Sequence, residues 1–209
     1  MTSKFFKYAG IVAGVVLIAM GIGSLVTGIA GRETVHDNLA LEQITGSPDM
    51  NPTALAAEVK AAGLKDVALP TCNVADQPIN TGARAKCFAS YIRVHALEST
   101  DGRTYSQMGQ FLTADGKETS DAALAAKDPK TGGPMPNGAR NIWVTATSLS
   151  TALNVSYFAE SVALFAIVMG IALLLIGIGL IVLTVRWLRE PASATRETPT
   201  VTPKPIVAS

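Results

Sequence analysis

The chain has 209 residues, 48% of them hydrophobic, and a formal net charge of +1. So neutral a balance leaves no field to hold nucleic acid or a strongly anionic surface, and neither is expected as a partner. The apolar share is concentrated in two runs without a charged residue, 8–30 and 161–185. The stretch between them has ordinary soluble composition and is long enough for a single core.

Each run exceeds the roughly 20 residues that a helix needs to cross about 30 Å of hydrocarbon. The sequence therefore predicts a mainly α membrane protein: two antiparallel transmembrane helices flanking a mostly helical extracytoplasmic domain with short extended segments. The expected boundaries are a cytoplasmic N-terminus at 1–7, a first span at 8–30, the domain at 31–158, a second span at 159–185 and a disordered cytoplasmic tail at 186–209. Lys4 and Lys7 precede the first run and Arg186 and Arg189 follow the second, whereas 31–159 is balanced, with 11 Lys and Arg against 13 Asp and Glu. That asymmetry predicts that both termini are cytoplasmic and the domain lies outside. Phe5, Phe6 and Trp187 would mark the inner interface, Tyr157 and Phe158 the outer one. Gly28-Ile29-Ala30 offers small residues suited to signal cleavage, but the run is long for a signal core of 7–15 residues, so an anchor is expected.

Beyond the first run, 33–45 either extends its helix or forms a short strand, until Gly46-Ser47-Pro48-Asp49 breaks it. Asn51-Pro52 reads as an N-cap followed by proline in the first turn, opening a short alanine-rich helix over 53–62 that ends at Gly63. Residues 67–70 look extended. From 83 to 98, Cys87, Phe88, Tyr91, Ile92 and Val94 fall on one arc at helical spacing, with Thr81 as cap and a stop at Thr100-Asp101-Gly102. Arg84, His95 and Glu98 lie inside that arc, where polar groups need partners. His95 and Glu98 are three residues apart and within reach of each other. The expected account of this trio is a polar cluster that satisfies itself; the competing account is a ligand or proton site. Residues 104–111 begin another short helix or turn, Asp115-Gly116 is a turn, and Ser120 or Asp121 caps a short alanine-rich piece ending at Lys127. Residues 129–138 form a surface loop. A helix over 141–153 leads into the second run, with its junction at Asn154 or Ser156.

Two cysteines, Cys72 and Cys87, both fall in the segment assigned to the oxidising side, so a structural disulfide is expected. A redox pair would normally be spaced by two residues, and zinc would need two further ligands.

Small residues in the two runs repeat every seven positions: Gly14, Gly21 and Gly28 in the first, Ala163, Gly170 and Gly177 in the second. Lipid offers no hydrophobic drive for helix pairing, so close approach at small residues must supply it, and a heptad keeps them on one face. The predicted pairs are Gly14 with Gly177, Gly21 with Gly170 and Gly28 with Ala163. Neither run holds an ionisable group, Glu160 standing at the outer edge, which argues against transport through this helix pair.

The segment His95-Ala96-Leu97-Glu98-Ser99-Thr100-Asp101-Gly102-Arg103-Thr104-Tyr105, with Trp143-Val144-Thr145 and Ser156-Tyr157-Phe158-Ala159-Glu160, resembles a family of actinobacterial two-span membrane proteins. Members often carry the automatic label "aromatic ring-opening dioxygenase". The resemblance implies a plasma-membrane location and an external domain, and it brings no catalytic residues. An extradiol-type iron site needs two His and a carboxylate. Here it would have to use both histidines, His36 and His95, with Glu98. No catalytic, cofactor-binding or metal residue is assigned, and no cofactor is expected. The expected function is a membrane-anchored extracytoplasmic module that binds or organises another envelope component. The alternative is a metal-dependent or hydrolytic enzyme using His95 and Glu98.

Overall fold

The computed structural model describes residues 2–189. Their fold is mostly helical. α1 spans Thr2–Leu41, α2 Pro52–Ala61, α3 Gly82–Ser99 and α4 Gly138–Arg189; β1 (Phe111–Leu112) and β2 (Glu118–Thr119) form the one hairpin. α1 and α4 are each long and apolar enough to cross a membrane. The described residues divide into two compact units, one of 23–170 and one of 2–22 with 171–189. Of the tail expected to be disordered, 186–209, residues 186–189 continue α4 and the rest lies outside the described residues.

In the smaller unit, α1 and α4 run antiparallel in backbone contact. A Cβ added to Gly14 would lie 2.8 Å from the Gly177 carbonyl, and one added to Gly10 would lie 2.6 Å from the Thr184 hydroxyl. Only hydrogen at Cα permits this approach. In the larger unit the same relation recurs: a Cβ at Gly28 would lie 2.7 Å from the Ala163 carbonyl, and Ser24 Oγ donates to the Ala166 carbonyl at 2.7 Å. Gly21 and Gly170 are both buried.

The larger unit holds the core. Leu39 at the end of α1 and Leu153 on α4 join Leu55 and Val59 of α2, Phe88, Tyr91 and Val94 of α3, and Val74 and Ile79 from the connecting segment. α2 begins where Asn51 Oδ1 accepts the Ala54 N–H at 3.0 Å, with Pro52 in the first turn, and Gly63 beyond its end takes φ +67°. Thr81 caps α3 by accepting the Arg84 N–H, and Asp101 and Gly102, both at positive φ, end it. α3 rests on α4 through Lys86 over the Tyr157 ring and Arg93 over the Trp143 ring.

Three sequence expectations take definite form. Residues 33–41 extend α1 rather than forming a strand. The 141–153 helix and the second apolar run are one unbroken helix, α4; Asn154 and Ser156 return hydrogen bonds to the Ser150 and Ala152 carbonyls, so neither interrupts it. The alanine-rich piece at 121–127 is not helical. Asp121 turns the chain by accepting the Ala123 N–H, but the Ala126 N–H is taken by the Leu112 carbonyl and its own carbonyl by Met135. So short a segment cannot nucleate a helix against those bonds.

Candidate functional site

Three elements deliver ionisable side chains to one place. The turn at 46–51 is closed by the Met50 N–H on the Ser47 carbonyl, which carries Asp49 toward α3. Leu55 and Val59 of α2 are buried in the core with Tyr91 and Val94 of α3. Glu58 and His95 are the sequence neighbours of Val59 and Val94, so this packing sets both at the rim of the apolar layer. His95 Nε2 lies 3.3 Å from Asp49 Oδ2 and 3.6 Å from Glu58 Oε2. Asp49 Oδ2 is not aligned for a hydrogen bond with that ring nitrogen and Glu58 Oε2 lies beyond hydrogen-bond reach, so the buried Nε2 has ion-pair neighbours but no hydrogen-bond partner. Among the described residues, Asp49, Glu58 and His95 are the one group of His, Cys, Asp or Glu whose ligand atoms converge, all within 4.8 Å of one another.

Glu98 stands one turn further along α3. Its Oε1 is the other buried side-chain polar atom without a partner among the described residues. Burial raises its carboxyl above the usual range, His95 works against that, and Glu58 and Asp49 reinforce it. The Asp49 carboxyl is held below its usual range, first by a hydrogen bond from the Ser47 side chain, against burial, with His95 contributing.

His95 and Glu98 therefore share a site, and its polar atoms do not all find partners. Arg84 is not part of it: the guanidinium donates to the Pro78 carbonyl at 3.2 Å and to Asn80 Oδ1 at 2.9 Å, bracing the approach to α3. It starts α3, about 20 Å along the helix from Glu98. His36, on α1, pairs with its neighbour Asp37 at 3.3 Å and belongs to no converging ligand group. Asp49 and Glu58 escaped the sequence reading. The available signal was Glu58 falling three residues after Leu55, on the edge of the buried face of α2; nothing local pointed from Asp49 to α3.

Cys72 and Cys87 are bonded, with Cα atoms 6.0 Å apart. The bridge ties the segment before α3 to its second turn. At the other end of α3, Glu160 of α4 accepts the Gly82 N–H at 2.6 Å and pairs with Arg32 of α1 at 3.3 Å. A carboxylate at a helix N-terminus is favoured by the unpaired amides there.

Comparison of the chain with protein-family models, with curated proteins and with solved structures finds no match.

Proposed function

We propose that the protein is a two-pass plasma-membrane protein with both termini cytoplasmic, whose disulfide-stapled extracytoplasmic domain binds or organises another component of the cell envelope. The observation that carries this reading is the mounting of α3 on the helix pair: Glu160 holds the first turn of α3 and Arg32 of α1 together. The domain core also takes residues from the ends of both long helices, Leu39 and Leu153. A domain whose core takes in residues of both long helices suits presenting a binding surface beside the membrane. The disulfide supports an oxidising compartment for the domain, and the lysines and arginines flanking the apolar runs support the orientation.

The test is photo-crosslinking in native membranes from Leu69, Leu124 and Ile142, all exposed on the domain. One envelope component captured from neighbouring positions, and lost when Cys72 and Cys87 are replaced by serine, is the expected result. Adducts to lipid alone, or only between copies of the chain, would overturn the reading.

A second reading, an enzyme using His95 and Glu98, is favoured by the convergence of Asp49 and Glu58 on His95. Its mark would be loss of cellular function in His95→Ala with the domain still folded.

A further inference from the structure

The two buried side-chain atoms without a hydrogen-bond partner among the described residues, His95 Nε2 and Glu98 Oε1, belong to one cluster, in which His95 Nε2 lies within ion-pair distance of Asp49 and Glu58. That coincidence calls for an occupant. The donor spacings say what kind. In a tetrahedral site the edge between two donors is about 1.6 times the metal–donor bond, so bonds of about 2.0–2.2 Å to imidazole nitrogen and carboxylate oxygen require edges of about 3.3–3.6 Å. The His95–Asp49 and His95–Glu58 separations, 3.3 and 3.6 Å, lie in that range, and the three ligand atoms are all within 4.8 Å of one another.

Charge points the same way. Asp49, Glu58 and Glu98 bring three carboxylates to one imidazole, and the charged groups acting on Glu98 are His95, Glu58 and Asp49, with no lysine or arginine among them.

We propose that Asp49, Glu58 and His95 bind one divalent transition-metal cation, of the zinc or manganese class, with the Glu98 carboxylate balancing charge beside it. An imidazole donor disfavours magnesium and calcium, which prefer all-oxygen sites. The ion would tie the 46–51 turn and α2 to α3, three elements otherwise joined here by apolar packing. This site stands independently of the tethered-module reading, since an anchored scaffold and an enzyme are equally able to hold the ion.

The test uses the full-length, untagged chain in detergent micelles, disulfide intact, stripped with a chelator and then dialysed against Zn²⁺ or Mn²⁺. Elemental analysis and titration calorimetry should find one ion per chain, with a rise in the thermal midpoint. Asp49→Asn with Glu58→Gln should weaken binding at least a hundredfold, and His36→Ala should leave it unchanged. A second measurement needs no variant: Zn²⁺ should protect His95 of the native chain from carbethoxylation while His36 is still modified. Failure of the native chain to bind either ion stoichiometrically, unweakened binding in the double variant, calcium binding alone, or equal modification of both histidines with and without Zn²⁺ would each overturn the proposal.

Discussion

The hydroxyl of Tyr91, a fully buried side chain at the centre of the core, donates a 2.6 Å hydrogen bond to the carbonyl of Cys72. The same short segment is thus held to α3 twice, by this bond and by the disulfide to Cys87. Tyr91→Phe keeps the ring and leaves the Cys72 carbonyl unpaired, which costs about 1–2 kcal/mol. Cys87→Ser opens a loop closed across 15 residues of sequence, worth up to about 3 kcal/mol. Because both act on one segment, the double variant should lose less than the sum of the two. Urea unfolding of the four chains measures the cycle; strict additivity would mean that the two restraints are independent.

The long helices offer a matched pair of glycines. A Cβ on Gly28 would meet the Ala163 carbonyl and Ile167 Cγ1, each at 2.7 Å, whereas one on Gly23 meets nothing within 4 Å. Gly28→Leu should therefore force α1 and α4 apart and lower the thermal midpoint in detergent. Gly23→Leu should be neutral or stabilising by up to about 1 kcal/mol, since leucine is the better helix former. Equal behaviour of the two variants would show that the helix contact contributes nothing.

Gly46, outside the long helices, also requires hydrogen at Cα. It donates to the Gln77 carbonyl at 3.0 Å and accepts from the Asp76 N–H at 2.9 Å, and an added Cβ would run into the Val74 carbonyl. Backbone cannot rotate away as a side chain can. Gly46→Ala should destabilise the domain by about 1–3 kcal/mol through the shift it forces. A midpoint unchanged in thermal unfolding would contradict this.

What was legible in the sequence was what local chemistry decides. The charge-free runs, Asn51-Pro52 and Thr81 each act through bonds within one turn, and their positions along the chain carry the information. The pairing of Cys72 with Cys87 was legible because no other cysteine competes. The piece at 121–127 misled because its amide at Ala126 goes to Leu112, fourteen residues back, a contact that no window around the alanines contains. The site was half legible for the same reason. His95 and Glu98 share one helix face and declare each other by spacing, whereas Asp49 and Glu58 reach them only through the packing of α2 on α3.

The loop between α3 and α4 has a pH dependence of its own. Glu118 on β2 accepts the Gly109 N–H at 3.1 Å, pairs with Arg103 at 2.9 Å and accepts from Asn137 Nδ2 at 2.9 Å. The Gly109 amide, ahead of Asn137 and Arg103 and against a smaller effect of burial, holds its carboxyl below the usual glutamate range. A group depressed in the folded state stabilises fully above its unfolded value, about 4.3, and loses that contribution as pH falls through the folded value. Acidification below about pH 4 should therefore loosen the hold on Gly109 and Asn137 while the α3 core stays closed, because protonation removes the carboxylate charge and turns one of its two accepting oxygens into a hydroxyl. Hydrogen exchange at the Gly109 amide, taken as a ratio to Glu118→Gln at each pH to remove the intrinsic rate, should show strong protection at pH 6 that fades toward pH 3. A ratio flat across that range would mean that the carboxylate charge does not hold the loop.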